Sequence, residues 1–369
     1  MFGLDRSRRR GPRRRARLAR VLLPGILAAA VGLAEAGGPP RAKRRPAGPY
    51  GRAVMAVAVD PTSPGTLYAG TGGGGFKSTD GGASWAALDV ALAGTSVGAL
   101  AIDRASPSTI WVGTGAGIFK QTPTGATRMP LKTEMGGLFV GALALDPSSP
   151  ATLYAGTGGG VFKSTDAGAS WSESGKGLTN QFVTTLVIDP SAPRTLYAAT
   201  NGGGVFKSVD GGGAWKPSSE GLKSAIVLGL AIDPASSGTL YAQTVDGVFK
   251  TTDGAKSWAP ASRGLASRFT LALAVDPGSP TTLYAGTAAG VFKSGNGGDS
   301  WAPASAGLTS QFVTALVIDP MSPSTLYAGT DGGLFKSTTG GSTWVELKRS
   351  TDERRASTAE PIAPPKDPS

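Results

Sequence analysis

This chain has no His and no Cys, so it lacks the commonest general base near neutral pH and any thiolate nucleophile. Acid–base work would fall to Asp and Glu, and two carboxylates held roughly 5 to 10 Å apart across an acetal bond would suit glycoside hydrolysis. Most aspartates are committed elsewhere. Seven of them close short apolar runs, at 60, 103, 146, 189, 233, 276 and 319, and four more, Asp80, Asp166, Asp210 and Asp253, sit in a recurrent octet. Between residues 50 and 349 this leaves Asp89, Glu134, Glu173, Glu220, Asp246, Asp299, Asp331 and Glu346. Glu173 and Glu220 stand near the starts of successive connectors and are the pair most open to an acid role, yet nothing beside them prepares either for it. No catalytic residue is assigned. Aspartates scattered on turns offer no metal-ligand spacing, and "TGGGGFKST" has neither the spacing nor the following helix of a phosphate loop. Neither a metal nor a cofactor is expected.

The elements that position these residues are written by repetition. The closing aspartates recur at intervals of 43, 43, 43, 44, 43 and 43 residues, so seven copies fill residues 50–349. Within the last copy, "VTALVIDP" (Val313 to Pro320) reads as a buried strand, "TLYAGT" (Thr325 to Thr330) as a second and "GLFKST" (Gly333 to Thr338) as a third. "WVELK" (Trp344 to Lys348) supplies a fourth. Four short strands per copy predict an all-β fold, a single seven-bladed β-propeller of antiparallel four-stranded blades. The last copy carries its own fourth strand, so closure is expected through packing of blade one on blade seven, without an exchanged strand. Small or apolar positions (Gly98, Gly141, Thr184, Thr314) are expected along an uncharged axial channel.

The octet falls where the third strand reverses into the fourth. It reads "STDGGASW" at Ser78, Asp80, Gly82 and Trp85, and "STDAGASW" at Ser164, Asp166, Gly168 and Trp171. Related copies hold Asp210, Gly212 and Trp215, then Asp253 and Trp258, then Asn296 and Trp301, and finally Thr339 and Trp344. Copy two, "QTPTGATR", has lost both Asp and Trp. The Asp is expected to accept backbone N–H bonds, the Gly to supply positive φ, and the Trp to pack against its own blade. A turn that degrades piecemeal between copies is a staple, not a catalytic centre.

The consensus S-x-D-x-G-x-[ST]-W resembles the Asp-box, or BNR repeat. That resemblance implies a propeller scaffold shared by sialidases, xyloglucan-cleaving glycoside hydrolases, sortilin-type receptors and photosystem II assembly factors, with the motif on a turn away from the binding face. A sialidase would need an arginine cluster around a tyrosine nucleophile, whereas six of the seven Tyr here belong to "LYAGT" strands or their variants. The xyloglucan-cleaving enzymes resemble two propellers with long inserted loops, and this chain has one propeller with almost no insertions. The resemblance therefore favours the small non-enzymatic assembly-factor type, with a glycan-active hydrolase as the alternative.

The formal charge of +11 would suggest a nucleic-acid partner, but residues 1–45 hold 12 Arg and one Lys against Asp5 and Glu35, and the remainder balances 23 bases with 23 acids. Nucleic-acid binding is set aside. Residues 1–36, Arg-rich and then apolar from Val21 to Leu33, read as a signal peptide cut after Ala36, with no stable membrane insertion after cleavage. Residues 37–49 form a basic, proline-bearing linker and residues 350–369 a disordered tail. The mature chain is expected as an exported monomer, periplasmic or extracellular.

A protein or glycan partner would meet the face built from the loops between strands two and three and from the connectors between blades. Lys176, Asn180, Gln181, Glu220, Lys223, Arg263, Arg268 and Gln311 on connectors, with Asp246 and Asp331 on loops, are the candidate contacts. Phe139, Phe182, Phe269 and Phe312 recur at one connector position, either as exposed stacking platforms or as buried anchors.

Overall fold

The computed structural model describes residues 48–129 and 138–348. Expectations for the signal peptide, the linker up to residue 47, Glu134 and the tail lie outside these residues. The rest forms seven four-stranded antiparallel sheets, each drawn from one uninterrupted stretch of chain and ordered first to fourth strand outward from the axis. In the seventh blade the strands are Val313–Ile318, Leu326–Thr330, Gly333–Ser337 and Val345–Glu346. The fourth strand thus begins one residue after Trp344, and outside the second blade it is two residues long.

The last five residues of each second strand are buried throughout, because they have a strand on either side and a neighbouring blade on each face. The glycine of "LYAGT" is there for contact between blades: a Cβ on Gly156 would lie 2.6 Å from Val183 Cγ1 of the next blade. The ring closes in the same way, with Gly329 against Val54. Thr314 Oγ1 adds a 2.6 Å bond to Val54 O, and Tyr327 and Leu334 of blade seven join Leu67, Phe76 and Trp85 of blade one in a single cluster. Among the described residues closure is by packing, as the sequence indicated.

The octets form the expected turns. Ser78 Oγ donates to Asp80 Oδ1 at 2.7 Å, while Ser84 N donates to the same oxygen at 2.9 Å and Gly82 N to Ser78 Oγ at 2.9 Å. Asn296 repeats the pattern in copy six, accepting from Ser294 Oγ and Ser300 N, and Thr339 accepts from Thr343 N in copy seven. Gly82, Gly168 and Gly212 have the predicted positive φ, but Ala255 takes that position in copy five at φ 65°. Ala167, one residue earlier in copy three, is also left-handed at φ 53°.

The tryptophans correct the sequence reading. They do not pack on their own blade alone: Trp215 Nε1 donates to Ser174 O of the preceding blade at 2.6 Å, and Trp258, Trp301 and Trp344 do the same to Ser218, Ala261 and Ala304. Trp215 shares a cluster with Tyr154, Val161 and Leu178 of blade three as well as Leu196 and Phe206 of blade four. Blades radiate from an axis, so the gap between neighbours widens outward, and an indole is large enough to fill its outer part. Trp85, at the closing seam, bonds Gly82 O of its own octet instead.

The lysine of "FKS" is a second seam element. In all seven blades its Nζ lies 5.1 to 5.8 Å from the centroid of the ring on the adjacent second strand, as Lys163 does over Tyr154 and Lys120 over Trp111. Lys163 Nζ and Tyr154 Oη both donate to Gly211 O in the next blade's octet, at 2.9 and 3.1 Å.

Trp215→Ala should lower unfolding stability by about 3–5 kcal/mol, because it opens a cavity spanning two blades. Chemical denaturation monitored by circular dichroism measures this, and a loss no larger than that of an exposed substitution would refute the wedge role. The octets also set acid stability. For Asp80, burial raises the pKa but hydrogen bonds from Ser84, Ser78 and Ala83 outweigh it and hold it at about 2; for Asp166, bonds from Ser170 and Ser164 lower it to about 2. Depressed carboxylates stabilise the fold above their unfolded pKa near 3.8, and that contribution disappears as pH falls to about 2. The Asp80→Asn, Asp166→Asn double variant should therefore show a flatter melting temperature between pH 4 and 2 than the parent chain.

Candidate functional site

The axial channel links two unlike faces. Its wall, about 280 Å³ in volume, is lined by the first strands of all seven blades, among them Gly98, Gly141, Thr184 and Thr314, with Gln243 reaching in from the fifth blade's second strand. No charged residue lines it.

On the connector face, the residue just before each first strand stands at the channel mouth. Phe139, Phe182, Ile226, Phe269 and Phe312 occupy five of the seven places, and all five are half-buried. The sequence reading favours buried anchors over exposed platforms, and the side chains are half-buried, between the two. Phe139 lies across Gly98 and Phe182 approaches Gly158, so each ring covers glycine of the preceding blade. Their carbonyls accept from the loop between strands two and three of their own blade, Phe139 O from Gly158 N and Phe182 O from Asn201 N. Phe269 and Phe312 meet with centroids 6.3 Å apart and planes tilted by 50°. The result is an interrupted apolar collar of half-buried side chains.

The ten predicted contact residues divide into two groups. Lys176, Glu220 and Arg263 lie at the outer seams, where their carbonyls accept the backbone N–H groups of Trp215, Trp258 and Trp301. They are exposed but belong to the rim and not to the collar. The others stand on loop tips or connector ends nearer the mouth. Asn180 Nδ2 donates to Asn201 O while its Oδ1 accepts from Phe182 N, which fixes the collar to the loop. Ser310 Oγ donates to Asp331 Oδ1. Gln181, Lys223, Asp246, Arg268 and Gln311 are exposed, and Arg268 Cβ lies beside Gly247, next to Asp246.

The remaining carboxylates do not converge. Asp89 caps a short 3₁₀ turn over Val90–Leu92 and its Oδ2 accepts from Ala126 N of blade two. Asp299 pairs with Lys250 at 3.8 Å and Glu346 with Lys348 at 3.3 Å. Glu173 is exposed on the two-residue outer strand of blade three, while Glu220 occupies the seam between blades four and five. Successive connectors therefore do not bring them into a matched pair. Burial pushes four of the strand tyrosines, Tyr154, Tyr197, Tyr241 and Tyr327, up to about 12. Among the described residues no cluster of three or more His, Cys, Asp or Glu is placed to hold a metal ion, and no helix is long and apolar enough to cross a membrane.

The opposite face holds a feature the sequence reading missed. Around the far end of the channel lies an apolar bowl of about 650 Å³, walled by Ile102, Leu145, Leu186, Ile188 and Ile232 with the prolines of the "DP" turns. Pro147, Pro190 and Pro234 stand at its edge, Pro61, Pro277 and Pro320 line a second hollow of about 510 Å³ beside it, and Arg104, which borders both, replaces the seventh. Arg104 is exposed, and it is the one basic residue on the bowl wall. Copy two's "DR" against "DP" in the six other copies was the available signal.

No protein-family model matches the chain, and no curated protein sequence does. Solved structures do match in fold. A glycoside hydrolase family 74 xyloglucanase from Xanthomonas campestris superposes with a TM-score of 0.69 at 22% identity, over 83% of this chain and 56% of the enzyme. The chain thus spans little more than half of that enzyme's length. YCF48 bound to a D1 peptide matches with a TM-score of 0.62 at 16% identity, over 79% of this chain and 94% of YCF48. The extracellular domain of BT4673 from B. thetaiotaomicron matches with a TM-score of 0.61 at 16% identity, over 78% of this chain and 38% of that one. At these identities the likeness is one of fold: a seven-bladed β-propeller, built here from four-stranded antiparallel blades.

Proposed function

We infer that this protein is an exported, non-enzymatic binding propeller that holds a protein or glycan partner on its connector face. The observation that carries the reading is the collar of half-buried rings at the channel mouth, surrounded by exposed Gln181, Lys223, Arg268 and Gln311. Apolar edges within a polar border are what a partner surface needs. The octets, read as Asp-box turns, lie at the other ends of the blades and leave that face free. Export is supported by the Arg-rich segment before Val21 to Leu33 and by the fold shared with an extracellular domain. Under the same reading the protein acts as a monomer.

A glycoside hydrolase is the second reading, favoured by the likeness to the xyloglucanase. It would need two carboxylates facing one another across a sugar, and Glu173 and Glu220 stand apart on the outer edge.

Purified protein incubated with plant, bacterial and sialylated oligosaccharides should leave the panel unchanged by mass spectrometry. On peptide and glycan arrays it should bind a defined subset, and the Arg268→Ala, Gln311→Ala double variant should lose that binding while Lys216→Ala, on the outer strand of blade four, keeps it. Specific cleavage products would overturn the scaffold reading in favour of the hydrolase, and binding indifferent to the double variant would move the site off the connector face.

A further inference from the structure

Tyr68 and Lys77 hold in the first blade the places that Tyr154 and Lys163 hold in the third. In three other seams this hydroxyl and ammonium meet one carbonyl from the next blade's octet, while Lys207 alone reaches Gly254 O and Tyr241 alone reaches Gly297 O. Gly211 O receives Tyr154 and Lys163 at 3.1 and 2.9 Å, Gly340 O receives Tyr284 and Lys293 at 3.1 and 3.1 Å, and Gly81 O receives Tyr327 and Lys336 at 3.4 and 3.2 Å. The second blade has no such turn to offer. Its third and fourth strands, Gly117–Thr122 and Gly125–Arg128, are joined by Pro123 and Thr124 alone. Tyr68 Oη and Lys77 Nζ have no hydrogen-bond partner among the described residues, and Lys77 keeps only its ring contact, 5.6 Å from the Tyr68 centroid.

The seam is also short of volume. Leu88 and the fully buried Leu92 fill its inner part, but the outer part, where a tryptophan of the second blade would sit, remains a cleft of about 350 Å³. Tyr68, Lys77, Trp85, Leu88, Gln121 and Pro123 wall it. Gln121 stands where the octets have their serine, is 9% exposed, and donates Nε2 to Thr122 O at 2.7 Å. Its Oε1 is buried with no donor. A buried acceptor without a donor is a deficit that an incoming N–H relieves.

The cleft therefore lacks an acceptor oxygen for Tyr68 and Lys77, a donor for Gln121, and apolar bulk between Leu88 and Pro123. The sibling seams show one object that supplies an acceptor and bulk together, a glycine-rich turn followed by an indole, and a peptide N–H supplies the donor. We propose that the seam between the first and second blades is a binding cleft for a short peptide turn of the octet's own chemistry. A main-chain carbonyl of the peptide accepts from Tyr68 and Lys77, a main-chain N–H donates to Gln121, and an aromatic side chain occupies the outer wedge. This site is on the octet side of the disc and does not depend on the connector face.

The probe is a synthetic peptide with the sequence of residues 208–217, SVDGGGAWKP, titrated into the full chain by isothermal calorimetry beside its Trp→Ala and scrambled forms. Saturable binding at or below about 1 mM is expected, weakened about tenfold by Lys77→Met or Tyr68→Phe and abolished when the peptide loses its tryptophan. Replacing residues 121–128 with SVDGGGAW should fill the cleft from within, raise the melting temperature and eliminate peptide binding. If that graft does not fold, the two point variants decide. No saturable heat with the folded parent chain, or binding unchanged by both Lys77→Met and Tyr68→Phe, overturns the proposal.

Discussion

Sheets arranged around an axis diverge, so the space between neighbours grows with radius, and every stable seam must grade its side chains to match. Near the axis the gap closes on a bare backbone, with Gly156 against Val183. Halfway out it takes Tyr154 and Phe206, and at the edge Trp215, all in one cluster across two blades. The octet follows from that constraint: a carboxylate and a serine fix a turn whose function is to direct an indole backward and a carbonyl toward the lysine of the preceding blade. Blades, seams and closure all depend on filling this wedge.

The fold was legible because the repeat states its period directly and each copy alternates buried strands with glycine and proline punctuation. Other features were hidden because a linear motif does not say which neighbour its side chains will meet. Trp215 and Ser174 are 41 residues apart in sequence, and no local pattern joins them. The lysine of "FKS" gives no local sign of its partners, since its ring lies on another strand and its carbonyl on another blade. Ala167 and Ala255 show that left-handed turn positions can also escape a search for glycine.

The candidate site was less legible. Arg263 and Arg268 are five residues apart on one connector, yet the first has its carbonyl in an outer seam and the second stands beside a loop of the preceding blade. A connector that climbs from rim to mouth divides its residues between two environments, and composition cannot tell where the division falls. Arg104 could be seen as an exception among six prolines, but the bowl it borders exists only once seven blades have closed. Carboxylates that looked unassigned, such as Asp89, turned out to cap backbone.

Each blade comes from one unbroken stretch of chain, and near the axis the joint between the seventh and the first repeats the packing of another seam, with Gly329 lying on Val54 as Gly156 lies on Val183. A ring of this kind has no privileged first member. Termini can be moved to another connector by circular permutation without removing a strand pairing, and a blade is also a unit of duplication. The variation among copies, from Asn296 to the shortened hairpin at Pro123, is then what distinguishes one sector of a nearly symmetric disc from the next.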